Sequence, residues 1–353
     1  MLLVRAEGNS IIGLGHLMRT MSIASCLIPD TEIVYLCTGD ESISLIQERG
    51  FRVIKLTHEA FSLEEAEEIL GKGYAKNTAI LIDSYQVSDE YIEQLKKKYV
   101  VAYMDDLIEH PYPADVIINY NTYATEHEYA NLYHKSACRT PELIIGGQFI
   151  PLRSEFTAGC STENSNESSG EKVKILITTG GGDQDNYAGI IAENLLKLGL
   201  NIELNVVCGA VNPNYPMLMQ LSSDNSSMQV HRNVKNMSAL MRECDMAISA
   251  GGSTCYELCA MGVPFVVFAY ADNQLRILSS LAEKRAALSA GFADNVSKQA
   301  EVVSIIVAEA VKLINSKALR EEVAANARKI TDGSGARKLA NELIRITSLR
   351  ERA

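Results

Sequence analysis

Residues 248–274, ISAGGSTCYELCAMGVPFVVFAYADNQ, constrain this chain more than any other stretch. An apolar strand end at 246–249 runs into Gly251-Gly252-Ser253-Thr254. A short helix carrying Tyr256, Glu257, Leu258 and Met261 comes next and stops at Gly262. Pro264 then leads into 265–270, a second buried strand. The glycines let the backbone come close to a ligand, and the unpaired N–H groups of a helix start favour an anion. Ser253 and Thr254 add hydroxyls there. Glu257, three residues after Thr254 on the same helical face, can accept hydrogen bonds from sugar hydroxyls. GGST alone fits an ordinary capped strand–turn–helix equally well. The continuation into Glu257, Gly262, Pro264 and Asn273-Gln274 favours a seat for a nucleoside diphosphate.

The N-terminal end carries a second glycine turn. A short apolar strand at 2–5 is followed by a turn-rich run, and Gly13-Leu14-Gly15-His16 opens a helix whose apolar side holds Leu17, Met18, Met21, Ile23 and Ala24. His16 therefore falls at a helix N-terminus beside glycines that leave it open to a ligand. The positive end of a helix disfavours imidazolium, which predicts a neutral His16 able to accept a proton. Arg19 lies three residues on, on the same face, positioned to meet a carboxylate or phosphate. The alternative for His16 is simple capping or packing; its place after GxG at a strand–helix turn favours the functional reading.

Strands and helices then alternate. Strands are expected at 32–37, 52–56, 79–83, 100–104, 115–120 and 142–145, and helices at 42–49, 63–70 and 89–98. The acidic helix at 63–70 reads as a solvated face. Ligands of open parallel sheets gather at the carboxyl ends of strands, which puts Asp83, Tyr85, Asp105 and Asp106 on one rim with His16. Each aspartate taken singly reads more simply as a turn or helix cap.

Residues 157–172, TAGCSTENSNESSGEK, contain almost nothing apolar and read as a linker or exposed loop. The same grammar restarts beyond them. A strand at 173–178 meets Gly180-Gly181-Gly182-Asp183 and a helix at 187–198. Asp183-Gln184-Asp185 has the DxD spacing of metal-dependent sugar transferases, but after a glycine turn it reads better as a helix cap. Strands at 205–208 and 228–231 and helices at 217–221 and 237–242 lead into residues 248–274. The C-terminal remainder reads as helical, at 282–288, 302–314, 320–329 and 336–348, broken by Asp332-Gly333-Ser334-Gly335.

A chain of 353 residues is long for a single core and predicts two domains. Its net charge of −11 argues against a nucleic-acid or polybasic membrane surface, without excluding an anionic ligand at local helix termini. The eight cysteines show no CxxC or zinc-type spacing, which fits reduced thiols in a cytoplasmic protein; Cys255 and Cys259 read as buried. No apolar run approaches the roughly 18 residues of a membrane span, and the first residues are too soon charged for a signal peptide. No His, Cys, Asp or Glu pattern calls for a metal, and none for a cofactor.

Two βα domains with glycine turns, joined by a linker, have the layout of GT-B nucleotide-sugar enzymes: α/β, with two Rossmann-like domains facing across a cleft. On this layout residues 1–156 form the domain carrying His16 and 157–172 the linker. Residues 173–330 form the UDP-binding domain, and 331–353 a helix that can cross back to the first domain. The chain specifically resembles the UDP-sugar hydrolases of pseudaminic acid biosynthesis, whose relatives include spore-coat polysaccharide biosynthesis proteins. The resemblance rests on RAEGNSIIGLGHLMR from Arg5, DSY from Asp83, MDDL from Met104 and GGQFIPLRSEF from Gly146. It continues through GGGDQDN from Gly180, AGGSTCYELCAMGVP from Ala250, DNQ from Asp272 and DGSGAR from Asp332.

The resemblance implies a UDP-linked 2,4-diacetamido-2,4,6-trideoxyhexose as substrate and water attack at C1. It makes His16 the proton acceptor and Asn273 a substrate ligand, with Gly252, Ser253, Thr254 and Glu257 in the segment that holds UDP. Gly13, Gly15, Arg19, Tyr85, Gly181 and Gln274 complete the expected substrate contacts. Glu7 departs from the family's usual Asp, and Gly182 and Gln184 from its common Ser and Pro. The longer Glu7 side chain is expected to alter whatever bond orients His16 or a sugar hydroxyl. A glycosyltransferase of the same fold, a hydrolysing UDP-sugar 2-epimerase and a non-catalytic UDP-sugar-binding protein are the rival readings.

Overall fold

The computed structural model describes residues 1–8, 14–75, 78–157, 172–180, 182–209, 212–293 and 295–350. The chain divides into two compact units, Met1–Arg153 with Ser334–Ala353, and Ser154–Gly333. Most of the expected linker, residues 158–171, lies outside the described residues.

The first unit is a seven-stranded, all-parallel sheet. Its strands are β1 (Leu2–Ala6), β2 (Ile33–Cys37), β3 (Arg52–Lys55), β4 (Ala79–Asp83), β5 (Val100–Met104), β6 (Val116–Asn119) and β7 (Glu142–Ile145), in the order β3-β2-β1-β4-β5-β6-β7. Helices α1 (Gly15–Ser25), α2 (Asp40–Glu48), α3 (Leu63–Gly71), α4 (Asp89–Lys96) and α5 (Glu126–His134) connect them. Strands β1, β2, β4, β5 and β6 are buried along their whole length, as a parallel sheet covered on both faces requires. Their apolar runs, such as LLVRA and AILID, give both faces side chains to bury.

The second unit is a six-stranded parallel sheet of β8 (Val173–Thr178), β9 (Ile202–Cys208), β10 (Met228–Arg232), β11 (Met246–Ala250), β12 (Phe265–Ala269) and β13 (Leu288–Phe292), ordered β10-β9-β8-β11-β12-β13. Its helices are α6 (Tyr187–Lys197), α7 (Tyr215–Asp224), α8 (Met237–Arg242), α9 (Thr254–Met261), α10 (Asp272–Glu283), α11 (Val296–Asn315) and α12 (Lys317–Ala327). The last helix, α13 (Gly335–Arg350), belongs to the first unit, where it packs on α1. It can sit so close only because Gly335 has no Cβ, which would run into the backbone of Ile150.

Several segments depart from their sequence reading. Helices α5 and α10 occupy 126–134 and 272–283, most of which reads as no element, and the helix expected at 282–288 is the end of α10 followed by a turn. Residues 288–292 form β13, although the start of this stretch reads as the end of a helix. Alanines at 286 and 287 carry the helical pattern up to the strand, and Gly291 at φ 87° is the break that pattern alone hides. The acidic helix α3 is not simply a solvated face. Glu65 is fully buried and receives Arg5 Nε and Nη2 at 2.8 and 2.9 Å, and the Tyr91 hydroxyl at 2.6 Å. Arg5, also fully buried, lies 4.1 Å from the centre of the Phe61 ring and donates to Glu7 Oε1 at 2.8 Å.

Each sheet reverses its direction of growth at one place. In the first unit β1 pairs with β4, opposing Ala6 to Asp83, and in the second β11 pairs with β8, opposing Ser249 to Thr178. The loops leaving these strand ends are where open α/β sheets bind ligands.

Candidate active site

Each unit places its candidate residues at its own switch point. In the first, β1 leads towards α1, whose first turn carries His16; β4 ends in Asp83, β5 leads to Asp105-Asp106, and β6 leads to Tyr120. His16 Nδ1 lies 2.6 Å from Asp83 Oδ1. A carboxylate only accepts, so Nδ1 carries a proton and donates it to Asp83. Among the described residues Nε2 makes no hydrogen bond, and the side chain is 12% exposed. The imidazole is thus anchored by one nitrogen and open at the other.

Asp83 is therefore no turn cap. It is fully buried and also accepts from Arg19 Nε and Nη2, each at 2.5 Å. Burial alone would push its carboxyl up, but Arg19 and His16 outweigh it and hold Asp83 below its ordinary value. It stays an anion throughout the neutral range, opposite the imidazole.

Arg19, expected to meet substrate, is occupied by the protein itself. Besides Asp83 it donates to Asp106 Oδ2 at 2.7 Å and to the Tyr120 hydroxyl at 2.6 Å. Its reach from α1 into the sheet end puts a cation between two carboxylates. Tyr85 is 49% exposed, donates to Asp106 Oδ2 at 2.8 Å and sets its ring edge-on to His16. Asp105 does behave as a cap, accepting the backbone N–H of Leu107 and Ile108.

Gly13 lies outside the described residues. Gly15 is the first residue of α1, exposed, with nothing within 4 Å of an added Cβ. Glu7 does not orient His16: its carboxylate accepts from Arg5, from Thr38 N and Oγ1 at 2.6 and 2.9 Å, and from Ser42 Oγ at 2.8 Å. The extra methylene relative to Asp is used to span β1 to β2, and these contacts overcome burial to keep its carboxyl below the usual range.

In the second unit, Gly251-Gly252 turns the end of β11 into α9. Gly251 is required by packing, since an added Cβ would come within 3.1 Å of Gln274 Cβ and O. Gly252 is the opposite case, with open space where its Cβ would be. Ser253 precedes α9 without capping it through its side chain. Among the described residues the Ser253 and Thr254 N–H groups have no hydrogen-bond partner. Glu257 sits in the first turn of α9, half-buried, and Gly262 at φ 65° ends the helix. Cys255 and Cys259 are fully buried, and burial pushes the Cys255 thiol up to about 12.

Asn273 is exposed in the first turn of α10. Gln274 beside it is a brace: its Oε1 accepts the Tyr270 N–H at 3.0 Å, and the Tyr270 hydroxyl donates to Thr179 O at 2.7 Å. Tyr270, which carries no sequence signal beyond ending an apolar run, thereby ties the 251–254 turn to the turn after β8. Gly181 lies outside the described residues. Asp183 accepts the backbone N–H of Tyr187 and Ala188 at 2.8 and 3.0 Å, as a cap of α6. An added Cβ at Gly182 would meet only the Gln184 amide, at 3.9 Å, so packing does not explain why Gly stands there. No group of three or more His, Cys, Asp or Glu among the described residues is placed to hold a metal ion. No helix among them is long and apolar enough to cross a membrane.

Two parallel α/β units with loops gathered at their switch points define the GT-B fold, and comparison with solved structures agrees. MurG of Acinetobacter baumannii superposes with a TM-score of 0.66 at 14% identity, over 98% of this chain and 99% of that one. Residues 174–343 match the glycosyltransferase family 28 C-terminal domain. By sequence the chain is related to UDP-2,4-diacetamido-2,4,6-trideoxy-beta-L-altropyranose hydrolase of Campylobacter jejuni, 26% identical over 284 residues, 80% of this chain and 96% of that protein. It is also 27% identical over 277 residues to an uncharacterized protein of Methanocaldococcus jannaschii. That match takes in 74% of this chain and spans about half, 54%, of the archaeal protein.

Proposed function

We propose that this protein hydrolyses a UDP-linked 2,4-diacetamido-2,4,6-trideoxyhexose to UDP and the free sugar, by attack of water at C1. The observation that carries the reading is the His16–Asp83 pair, with Nδ1 held at 2.6 Å by a buried carboxylate and Nε2 making no hydrogen bond among the described residues. A histidine so held is equipped to take a proton from water. The substrate comes from the Campylobacter relative, nearly all of whose length aligns with this chain. The N–H groups of Ser253 and Thr254 supply fixed dipoles for the diphosphate, which leaves as UDP with its charge already matched. A single displacement inverts C1. Incubation with a panel of UDP-bis-acetamido sugars, with UDP release as the readout, tests it; no release from any of them would defeat it.

The GT-B fold, shared with glycosyltransferases such as MurG, favours one second reading, in which an acceptor hydroxyl replaces water. Release of free sugar without any acceptor separates the two. A 2-epimerase would instead exchange the C2 hydrogen with solvent.

The nucleotide is assigned to the turn at 251–257. UDP should therefore raise the melting temperature by mass action, and Glu257→Ala should shrink that rise. Equal protection of both proteins would remove Glu257 from the site.

Which bond breaks depends on the division of labour. Backbone N–H groups suit a departing diphosphate better than a nucleophile attacking phosphorus, whereas His16 is assigned to the sugar. Hydrolysis in ¹⁸O-water should place the label in the sugar and leave UDP unlabelled. Label in UDP, or turnover abolished by a chelator and restored by a divalent metal, would make phosphorus the target.

A further inference from the structure

Arg19, Asp106 and the Tyr85 hydroxyl have no task in that reaction, yet they close a ring of contacts around its base. His16 Nδ1 meets Asp83, Asp83 meets Arg19, and Arg19 Nη1 meets Asp106 Oδ2 at 2.7 Å. The same oxygen accepts the Tyr85 hydroxyl at 2.8 Å, and the Tyr85 ring returns to His16 with centroids 4.9 Å apart at 80°. An imidazole held through one nitrogen can still swing about that bond. The edge-on ring removes the swing from the other side. Tyr85 is half exposed, so packing does not hold its ring in place; the tether of its hydroxyl to Asp106 does. Asp106 is fixed in turn by Arg19 and, on its other oxygen, by Asn121 Nδ2 at 3.0 Å.

We infer that Tyr85 and Asp106 form a latch that positions the His16 ring and aims Nε2, and that Tyr85 and Arg19 are positioning residues, not the substrate ligands their sequence context implies. The inference rests on His16 being the base of the reaction proposed above. A tether of this kind acts on the chemical step: a base displaced by a fraction of an ångström is a poorer proton acceptor, while binding of the substrate is untouched.

Tyr85→Phe deletes one exposed hydroxyl and leaves the fold intact. It should lower kcat about tenfold and leave KM within about twofold, the pattern of an interaction felt in the transition state alone. In a His16→Asn background the same change should add less than about twofold, because the latch works only through His16. Asp106→Asn keeps an oxygen for the Tyr85 hydroxyl and should retain more activity than Asp106→Ala. The free protein gives an independent readout. The ¹⁵N ring resonances of His16, identified by their loss in His16→Asn, should report one sharp Nδ1–H tautomer in wild type and broaden or shift in Tyr85→Phe. A raised KM with unchanged kcat and unaltered His16 resonances would make Tyr85 a substrate contact and overturn the latch. If wild type turns over none of the UDP-sugars, the hydrolase reading fails and the resonances alone decide: unaltered in Tyr85→Phe and Asp106→Ala, they overturn the latch; altered, they sustain it.

Discussion

His16→Asn should leave protection of the protein by UDP intact and remove about 10²–10⁴ of its turnover, the usual worth of a general base. The separation of the two effects reflects their places in the chain. On the proposed function the nucleotide meets backbone groups of the second unit, at the turn between β11 and α9, and owes nothing to imidazole. Asparagine can still donate its side-chain N–H to Asp83, so the buried carboxylate keeps a partner and the fold has no reason to fail. What asparagine lacks is a basic lone pair in the position of Nε2. Single-turnover rates and UDP-dependent melting shifts, taken on the same preparations, check both halves of the expectation. Near-normal turnover would show that another group activates the water, and lost protection would show that His16 lies within reach of the nucleotide.

The switch-point loops were legible because they rest on local signals. Glycine turns after apolar strands announce close approach and helix starts, and the GGST and GLGH runs need nothing distant to be read. The partners of those loops were not. Asp83 lies 67 positions from His16 and Asp106 87 from Arg19, and only the pairing of β1 with β4 and β4 with β5 brings them together. Read singly, an aspartate at a strand end is a cap, which is what Asp105 and Asp183 prove to be. The difference between Asp83 and Asp105 is that a cation, Arg19, stands opposite the first, and that cation is on another element. The same blindness makes Arg19 look free: on α1 its helical neighbours offer no carboxylate, and its charge is satisfied across the sheet. Gln274 shows the converse. Its motif marks it for substrate, yet its carbonyl oxygen is used on the backbone of Tyr270. At Gly251 and Gly252 one repeated letter covers two causes, packing at the first and open space at the second.

Glu65→Ala should cost the first unit about 3–5 kcal/mol, the usual penalty for removing one member of a buried ion pair. The partner left behind decides the size. Arg5 is fully buried in β1, with Nε and Nη2 both directed at Glu65, and only Nη1 is served elsewhere, by Glu7 Oε1 at 2.8 Å and more distantly by Leu36 O. Alanine would strand two guanidinium donors and the Tyr91 hydroxyl in a space lined by Phe61, where water does not compensate them. For a unit of this size the loss corresponds to a melting-temperature drop on the order of 10 °C. Glu65→Gln keeps one acceptor and most of the volume, and should fall between wild type and alanine. The double change Arg5→Met with Glu65→Leu should recover much of the loss, because it removes both charges together and leaves neither one unpaired. Thermal melts of the full chain, followed by a probe in the first unit, separate these outcomes. A shift of less than about 1 kcal/mol for Glu65→Ala would mean that the cavity admits water and that Arg5 is solvated in its place, which would return α3 to the solvated face its composition describes.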